Sequence, residues 1–388
     1  MIKNLFMTLA TASSLAFIAA NAQTVVKIEK TTASKISVST EISGPNAKAF
    51  KLSLERNLAL SGVFAIERKG AVTVSGSTGS GFSVKGAGLN LSVGSQAATD
   101  VDARMEARRL ADSMVKSYAN IEGFARDKIV FVNRKGSNNA ELCVCYPDGG
   151  DAKQLTSDSK ASVGPRWRDD ATILYTGFLE NAPRIYELDV NSGKRSRKWD
   201  FSGLNTGAVV SPDGTKVAAI FSFQRNPELY VIDLVSKTWQ RMTQTPLASE
   251  GQPSWSPDGK EIVYVSDEAR LPQLYVVNVA TKAKRRLTSK GSQNLDPDWG
   301  NDGRIAYITK RQGLSYVAVI DPAKGESSSR LVSEGGTWEH PSWSRDCRHA
   351  VASRDKALFI VDTAEDNPDK PVQLTRMNGN LITPSWRK

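Results

Sequence analysis

The chain has 388 residues, with 51 Lys and Arg against 41 Asp and Glu and a formal net charge of +10. Hydrophobic residues make up 40% and charged residues 24%, alongside 29 Gly and 16 Pro, which is ordinary globular composition and excludes a collagen, a disordered chain and a multi-span membrane protein. No run of five or more basic residues occurs, so the surplus charge does not mark a nucleic-acid binder.

In chain order, the first signal is Lys3 followed by an apolar stretch from Leu5 to Ala20 that closes on Ala20-Asn21-Ala22. This is the pattern of a secretory leader cut before Gln23. The stretch is diluted by Ser and Thr and is shorter than the ~20 apolar residues a spanning helix needs. We therefore expect a signal peptide at 1–22, no membrane span and an exported product. Residues 23–126 read as a small α+β domain. Ser43 with Pro45 opens a segment in which Phe50, Leu54 and Leu58 fall at i, i+4 and i+8 and Ser61-Gly62 stops it, so a helix is predicted. Val63–Ile66 reads as a strand, and the Gly/Ser-rich stretch 70–95, with Val72, Val74, Phe82, Val84, Leu89, Leu91 and Val93, as hairpin strands. Thr99-Asp100-Val101-Asp102 reads as a capping box opening a second helix with Val101, Met105, Met114, Val115 and Tyr118 near one face, and Gly123 ending its trailing turn.

From residue 163 onward one phrase returns. It is clearest as Pro253-Ser254-Trp255-Ser256-Pro257-Asp258-Gly259, and with Trp167, Val210, Trp255, Trp299, Trp343 and Trp386 as register its spacings are 43, 45, 44, 44 and 43. In each unit the Pro-x-Trp strand enters a Ser-Pro-Asp-Gly turn, then alternating runs such as Ile262–Val265 and Leu274–Val277, then a short fourth strand. Four strands per ~44 residues describe a propeller blade. The runs 129–133, 142–146 and 153–156 lack a leading Pro-x-Trp strand, whereas the chain ends on one, around Trp386. Pairing them makes a sixth blade from both ends of 127–388 and removes exposed edges. The fold class expected is an α+β N-terminal domain followed by an all-β six-bladed β-propeller closed by the C-terminal strand.

Motifs for chemistry are sparse. There is no Gly-x-Ser-x-Gly elbow, and Ser75–Gly81 lacks Gly-Lys-Ser/Thr, so a flexible turn is expected rather than a phosphate cradle. Two His, His340 and His349, are too few for a typical catalytic zinc site, and Asp296, Asp298 and Asp302 miss the spacing of a calcium loop. Cys143 and Cys145 sit at i and i+2 on one face of a strand, which argues against a bridge between them, and Cys347 is the odd thiol. Five of the eight Trp hold the repeat position, which leaves Trp199, Trp239 and Trp338. We expect no catalytic residue, no metal and no cofactor.

A propeller's inner strands present the residues before Pro-x-Trp at one mouth of the channel. The partner-binding candidates are therefore Val163, Leu204, Asn205, Glu250, Gly251, Gln252, Asn294, Asp296, Trp338, Glu339, His340 and Thr383, a set of converging loop ends suited to a protein or peptide. The alternative is a lyase or glycan hydrolase using the mouth carboxylates Glu250, Asp296 and Glu339.

Leu54-Glu55-Arg56-Asn57-Leu58-Ala59-Leu60-Ser61-Gly62-Val63-Phe64, then Ile121-Glu122-Gly123-Phe124-Ala125, then six blades with Gly291-Ser292-Gln293-Asn294 and a terminal Pro384-Ser385-Trp386 together resemble the TolB family of the Tol-Pal system over most of 46–388. The resemblance implies a noncatalytic periplasmic protein that binds a Pal-like lipoprotein at the propeller mouth. It further implies contact with a TolA-like protein through the mature N-terminal segment, and a role in outer-membrane integrity and cell division. We expect a monomer.

Overall fold

The computed structural model describes residues 35–387 except 137, 181, 224, 366–369 and 375–376, and places them in one compact unit. The leader and the segment preceding residue 35 lie outside the described residues.

The N-terminal part is a five-stranded sheet covered by two helices. Its strands are β1 (Ile36–Ser43), β2 (Phe64–Ile66), β3 (Val72–Ser77), β4 (Gly81–Gly86) and β5 (Leu89–Val93), and its helices are α1 (Ala47–Leu60) and α2 (Asp100–Ala119). The sheet order is β2-β1-β3-β4-β5, with β1 parallel to both β2 and β3 and the β3-β4-β5 meander antiparallel. Helix α1 is the crossover that parallel β1 and β2 require. Phe50, Leu54 and Leu58 are fully buried, as their spacing predicts, with Phe50 stacked on Phe82 at 4.0 Å between ring centroids.

Helix α2 opens with the expected capping box, since Asp102 N donates to Thr99 Oγ1 at 3.2 Å and Thr99 N donates to Asp102 Oδ2 at 3.0 Å. Its buried face is Ala103, Ala107, Leu110, Ala111, Met114 and Val115. Val101 is 54% exposed and Met105 half-buried, which corrects the predicted face: small alanines, not the first large residues, set the close approach to α1. The helix ends on Asn120 in the left-handed conformation rather than at Gly123.

The six four-stranded sheets that follow are blades of a closed propeller. In order they cover 162–197, 205–241, 250–286, 293–331 and 339–373, and the sixth joins the last strand, Asn380–Trp386, to Ile129–Arg134, Ala140–Cys145 and Lys153–Gln154. The closing strands run antiparallel, with Asn380 opposite Arg134 and Trp386 opposite Ile129. Cys143 and Cys145 are buried free thiols in that blade.

The helical layer grips this sixth blade through a buried ion cluster. Arg108, fully buried, donates from Nε and Nη2 to both oxygens of Asp148 at 3.0 and 2.9 Å and from Nη1 to Asp151 at 2.7 Å, with Tyr146 under its guanidinium. Phe124 then stands edge-on to Trp386 at 5.2 Å and against His349 at 4.9 Å.

Candidate functional site

Each inner strand carries a break in its ladder at the same register, immediately around a proline in five blades and around Ala208 in blade 2. The pairing register slips between Thr206 and Val209, Gly251 and Ser254, Leu295 and Asp298, Glu339 and Ser342, and Ile382 and Ser385, with a matching irregularity opposite Gly164. A bulge tolerates proline because it leaves ladder donors unpaired anyway. At its apex sits one residue with positive φ in every blade: Gly164 at 58°, Gly207 at 66°, Gln252 at 54°, Asp296 at 52°, His340 at 50° and Thr383 at 47°. Four of these six are not glycine, and the left-handed conformation costs an L-residue roughly 1–2 kcal/mol. Strain repeated at one register around a channel must be repaid by fixed contacts.

Those contacts run from blade to blade. Asp296 N donates to Gln252 Oε1 at 2.9 Å while Gln252 Nε2 donates to Asp296 Oδ1. His340 N donates to Asp296 Oδ2 at 3.0 Å, and His340 Nδ1 lies 2.8 Å from Asp296 Oδ1. Two residues further down the same strands the pattern recurs: Trp299 N donates to Ser254 Oγ at 2.9 Å, Trp343 N to Asp298 Oδ2 at 2.7 Å, and Trp386 N to Ser342 Oγ at 3.1 Å. The bulge frees an N–H, and the neighbouring blade's side chain accepts it.

Burial alone would raise the Asp296 carboxyl, but the His340 charge and hydrogen bonds, with Arg166 nearby, hold it below the usual carboxylate range. Burial works against a charged His340 as well, and Asp296 outweighs it, so the imidazole titrates above its ordinary value.

The twelve predicted rim residues divide by the two-residue alternation of a strand. Asn205, Glu250, Asn294 and Trp338 all lie two positions before the apex and all are buried. Each is a peg for the loop that delivers its strand. Asn205 Nδ2 donates to Phe201 O at 2.7 Å, Asn294 Nδ2 to Gln273 Oε1 at 2.7 Å, and Trp338 Nε1 to Glu334 O at 2.9 Å. Glu250 accepts from Thr245 at 2.8 Å and Ser266 at 3.1 Å, and burial, with Glu228 beside it, pushes its carboxyl up to about 7. The residues that remain at least partly open are Val163, Leu204, Gly251, Gln252, Glu339, His340 and Thr383, with Asp296 sunk among them. Gly164 and Gly207 complete the ring and were not predicted, because a glycine has no side chain to suggest a role.

A family profile described as TolB beta propeller domain matches residues 116–388. The chain belongs to the TolB beta-propeller family. A crystal structure of TolB from Acinetobacter baumannii superposes with a TM-score of 0.78 over 91% of this chain and 97% of that one, at 23% identity, which speaks to fold. A putative TolB from Agrobacterium tumefaciens gives 0.52 over 67% of this chain and 92% of that one, at 18% identity. The Tol-Pal system protein TolB of Anaeromyxobacter dehalogenans strain 2CP-C is 30% identical over 155 residues, 40% of this chain and 35% of that protein, so the matched stretch spans about a third of the relative's length. Among the described residues no helix of this TolB-family chain is long and apolar enough to cross a membrane, and no group of three or more His, Cys, Asp or Glu is placed to hold a metal ion.

Proposed function

We propose that the chain is a noncatalytic scaffold of the Tol-Pal system. In this reading it is exported to the periplasm by a leader cut before Gln23, folds as a small domain to residue 126 and a propeller beyond, and docks a Pal-like lipoprotein on the ring that surrounds Gln252, Asp296, His340 and Thr383. Contact with a TolA-like protein falls to the mature N-terminal segment, and the physiological role is support of outer-membrane integrity and cell division. The observation that carries the reading is the left-handed ring: the side chains of Gln252, Asp296 and His340 are hydrogen-bonded to one another before any partner arrives, so little ordering entropy is spent on docking.

The enzyme alternative fares worse on the same residues. Glu250 is sealed and hydrogen-bonded inside its blade, both Asp296 oxygens are occupied by the ring, and only Glu339 is exposed. Among Glu250, Asp296 and Glu339, therefore, no two free carboxyls face a common space, which two-carboxylate glycoside chemistry requires.

The test uses a purified Pal-like lipoprotein domain and isothermal titration. Gly251→Trp and Glu339→Lys, both on the open part of the rim, are each expected to weaken capture at least ~10-fold, equivalent to ~1.4 kcal/mol. Unchanged affinity in both variants rejects docking at this mouth.

A further inference from the structure

The repeat is broken in blades 1 and 2, and the breaks meet at one place. Where blades 3, 5 and 6 carry Ser254, Ser342 and Ser385 beneath the apex, blade 1 has Arg166 and blade 2 has Val209. Where five blades carry an indole, blade 2 has Val210.

A cavity of about 310 Å³ lies in the lower half of the channel, lined by residues of all six blades, Val210 among them. Its walls include Arg166, Val210, Trp255, Trp299, Ser342 and Ser385, while its outer edge is formed by the turn residues Asp169, Asp170, Pro212, Pro257 and Asn301. No residue of the left-handed ring lines it, so it opens on the face opposite the proposed docking rim. Its volume sits at the small end of ligand pockets, which run from ~300 to ~1,000 Å³.

Three guanidiniums reach this space and two are already engaged. Arg387 pairs with Asp170 at 3.0 Å and Asp127 at 3.5 Å, and Arg168 pairs with Glu187. Asp298, the carboxylate in the wall, is taken by Trp343 N at 2.7 Å and by Ser342 Oγ at 3.3 Å. Arg166 is half-buried, its hydrogen bond is a 3.4 Å contact from Nη1 to the carbonyl of Pro165, and among the described residues no carboxylate lies within 4 Å of it, although its charge acts from further off on Asp296. A guanidinium offers five donors in a planar fork that matches a carboxylate. Holding it partly desolvated without such a partner leaves that capacity unspent.

We propose that this lower channel is a binding site for the carboxylate of a small organic acid or of a peptide C-terminus, with Arg166 taking the carboxylate and the indoles of Trp255 and Trp299 flanking the apolar remainder. This site is separate from the docking rim and does not depend on that reading.

Titration of the full-length mature protein with hydrocinnamate, N-acetyl-Ala-Ala and the C-terminal amide of N-acetyl-Ala-Ala tests it, read by calorimetry and by tryptophan fluorescence. The expected result is binding of at least one acid, loss of at least ~10-fold on amidation of the peptide, a similar loss for the acids in Arg166→Gln, and partial recovery in Arg166→Lys. Tighter binding of hydrocinnamate assigns the site to free acids, and tighter binding of the peptide acid assigns it to C-termini. Val210→Trp, which restores the missing indole, is expected to keep the melting temperature and abolish binding, so the site can be tested even where the Arg166 variants do not fold. Equal binding of peptide acid and amide, unchanged acid binding in Arg166→Gln or in Val210→Trp, or no binding of either acid at ~10 mM would overturn it.

Discussion

Blades 3 to 5 and blades 1 and 2 are built on one phrase yet treat the channel differently. In the first group Gln252, Asp296 and His340 are laced together and Ser254, Asp298 and Ser342 cap the next blade's donors. In the second the apex residues are Gly164 and Gly207, a Cβ on Gly164 would meet nothing within 4 Å, and valines replace the serine and the tryptophan below Gly207. The first half holds the ring rigid. The second half leaves room. A propeller can therefore divide labour around its axis: blades that keep the repeat supply stability, and blades that depart from it supply space and a guanidinium with no carboxylate within 4 Å among the described residues.

Truncating the residue at the indole register on each side gives the sharpest contrast. Trp343, fully buried in blade 5, is expected to cost about 3–5 kcal/mol when changed to Ala, whereas Val210→Ala, beside an existing cavity, should cost about 1 kcal/mol. Urea unfolding of both variants measures the difference; comparable losses would mean the two halves are packed alike.

A smaller effect tests the lacing itself through pH. His340 has its titration raised by Asp296, so its contribution is complete below the ordinary histidine value near 6.5 and is lost as pH rises through the folded value. Asp296 is held low, so its share is present above the ordinary value near 3.9 and is lost as pH falls through the folded value. The stability gap between the wild type and His340→Asn should therefore be widest near pH 5.5 and narrow by pH 8.5. Glu250, raised to about 7 by burial beside Glu228, adds a loss of stability as pH rises from about 4.5 to 7, but it acts equally on both proteins and cancels in the comparison. A gap that is constant with pH would remove His340 from the lacing.

The smallest effect concerns the one turn of blades 3 to 5 that lacks the closing glycine. Blade 5 reads Ser344-Arg345-Asp346-Cys347, and Cys347 takes the glycine's place at φ 54° while donating its N–H to Ser344 O at 3.2 Å. Its backbone carbonyl accepts from Arg304 at 2.6 Å, so the useful contact does not need the side chain. Cys347→Gly is expected to stabilise by about 0.5–1 kcal/mol, the strain relieved less the added unfolded-chain entropy. A thermal shift of the opposite sign would show that the thiol packs usefully.

Much of this was legible from residue order. Pro-x-Trp at a fixed beat, and in blade 2 the Ser211-Pro212-Asp213-Gly214 turn, located every blade and the paired ends of the sixth, and Thr99 with Asp102 located a helix start to the residue. What escaped is instructive. Strand β1, Ile-Ser-Val-Ser-Thr-Glu-Ile-Ser, alternates cleanly and ends on a turn at Gly44-Pro45, but Ser, Thr and Glu fill five of its eight positions, so its apolar signal is weak. The left-handed apex could not be read because Gln252, Asp296, His340 and Thr383 are unrelated residue types that share only a backbone torsion. Polar pegs such as Asn205 and Asn294 look like rim residues in one dimension, and only the loop carbonyls they serve reveal them as interior.

The last strand pairs with residues translated some 250 positions earlier, Asn380 against Arg134 and Trp386 against Ile129. Such distant pairing is slow, because the loop entropy is spent before the contacts form. Until the C-terminal tail arrives, blade 6 lacks its inner strand, Trp386 is absent from beneath Phe124, and the surface around the Arg108 cluster has only part of its support. The annulus thus acts as its own completeness check: a chain shortened by seven residues should leave a split ring with an adhesive flank, and the cell's quality-control proteases would meet it as unfinished.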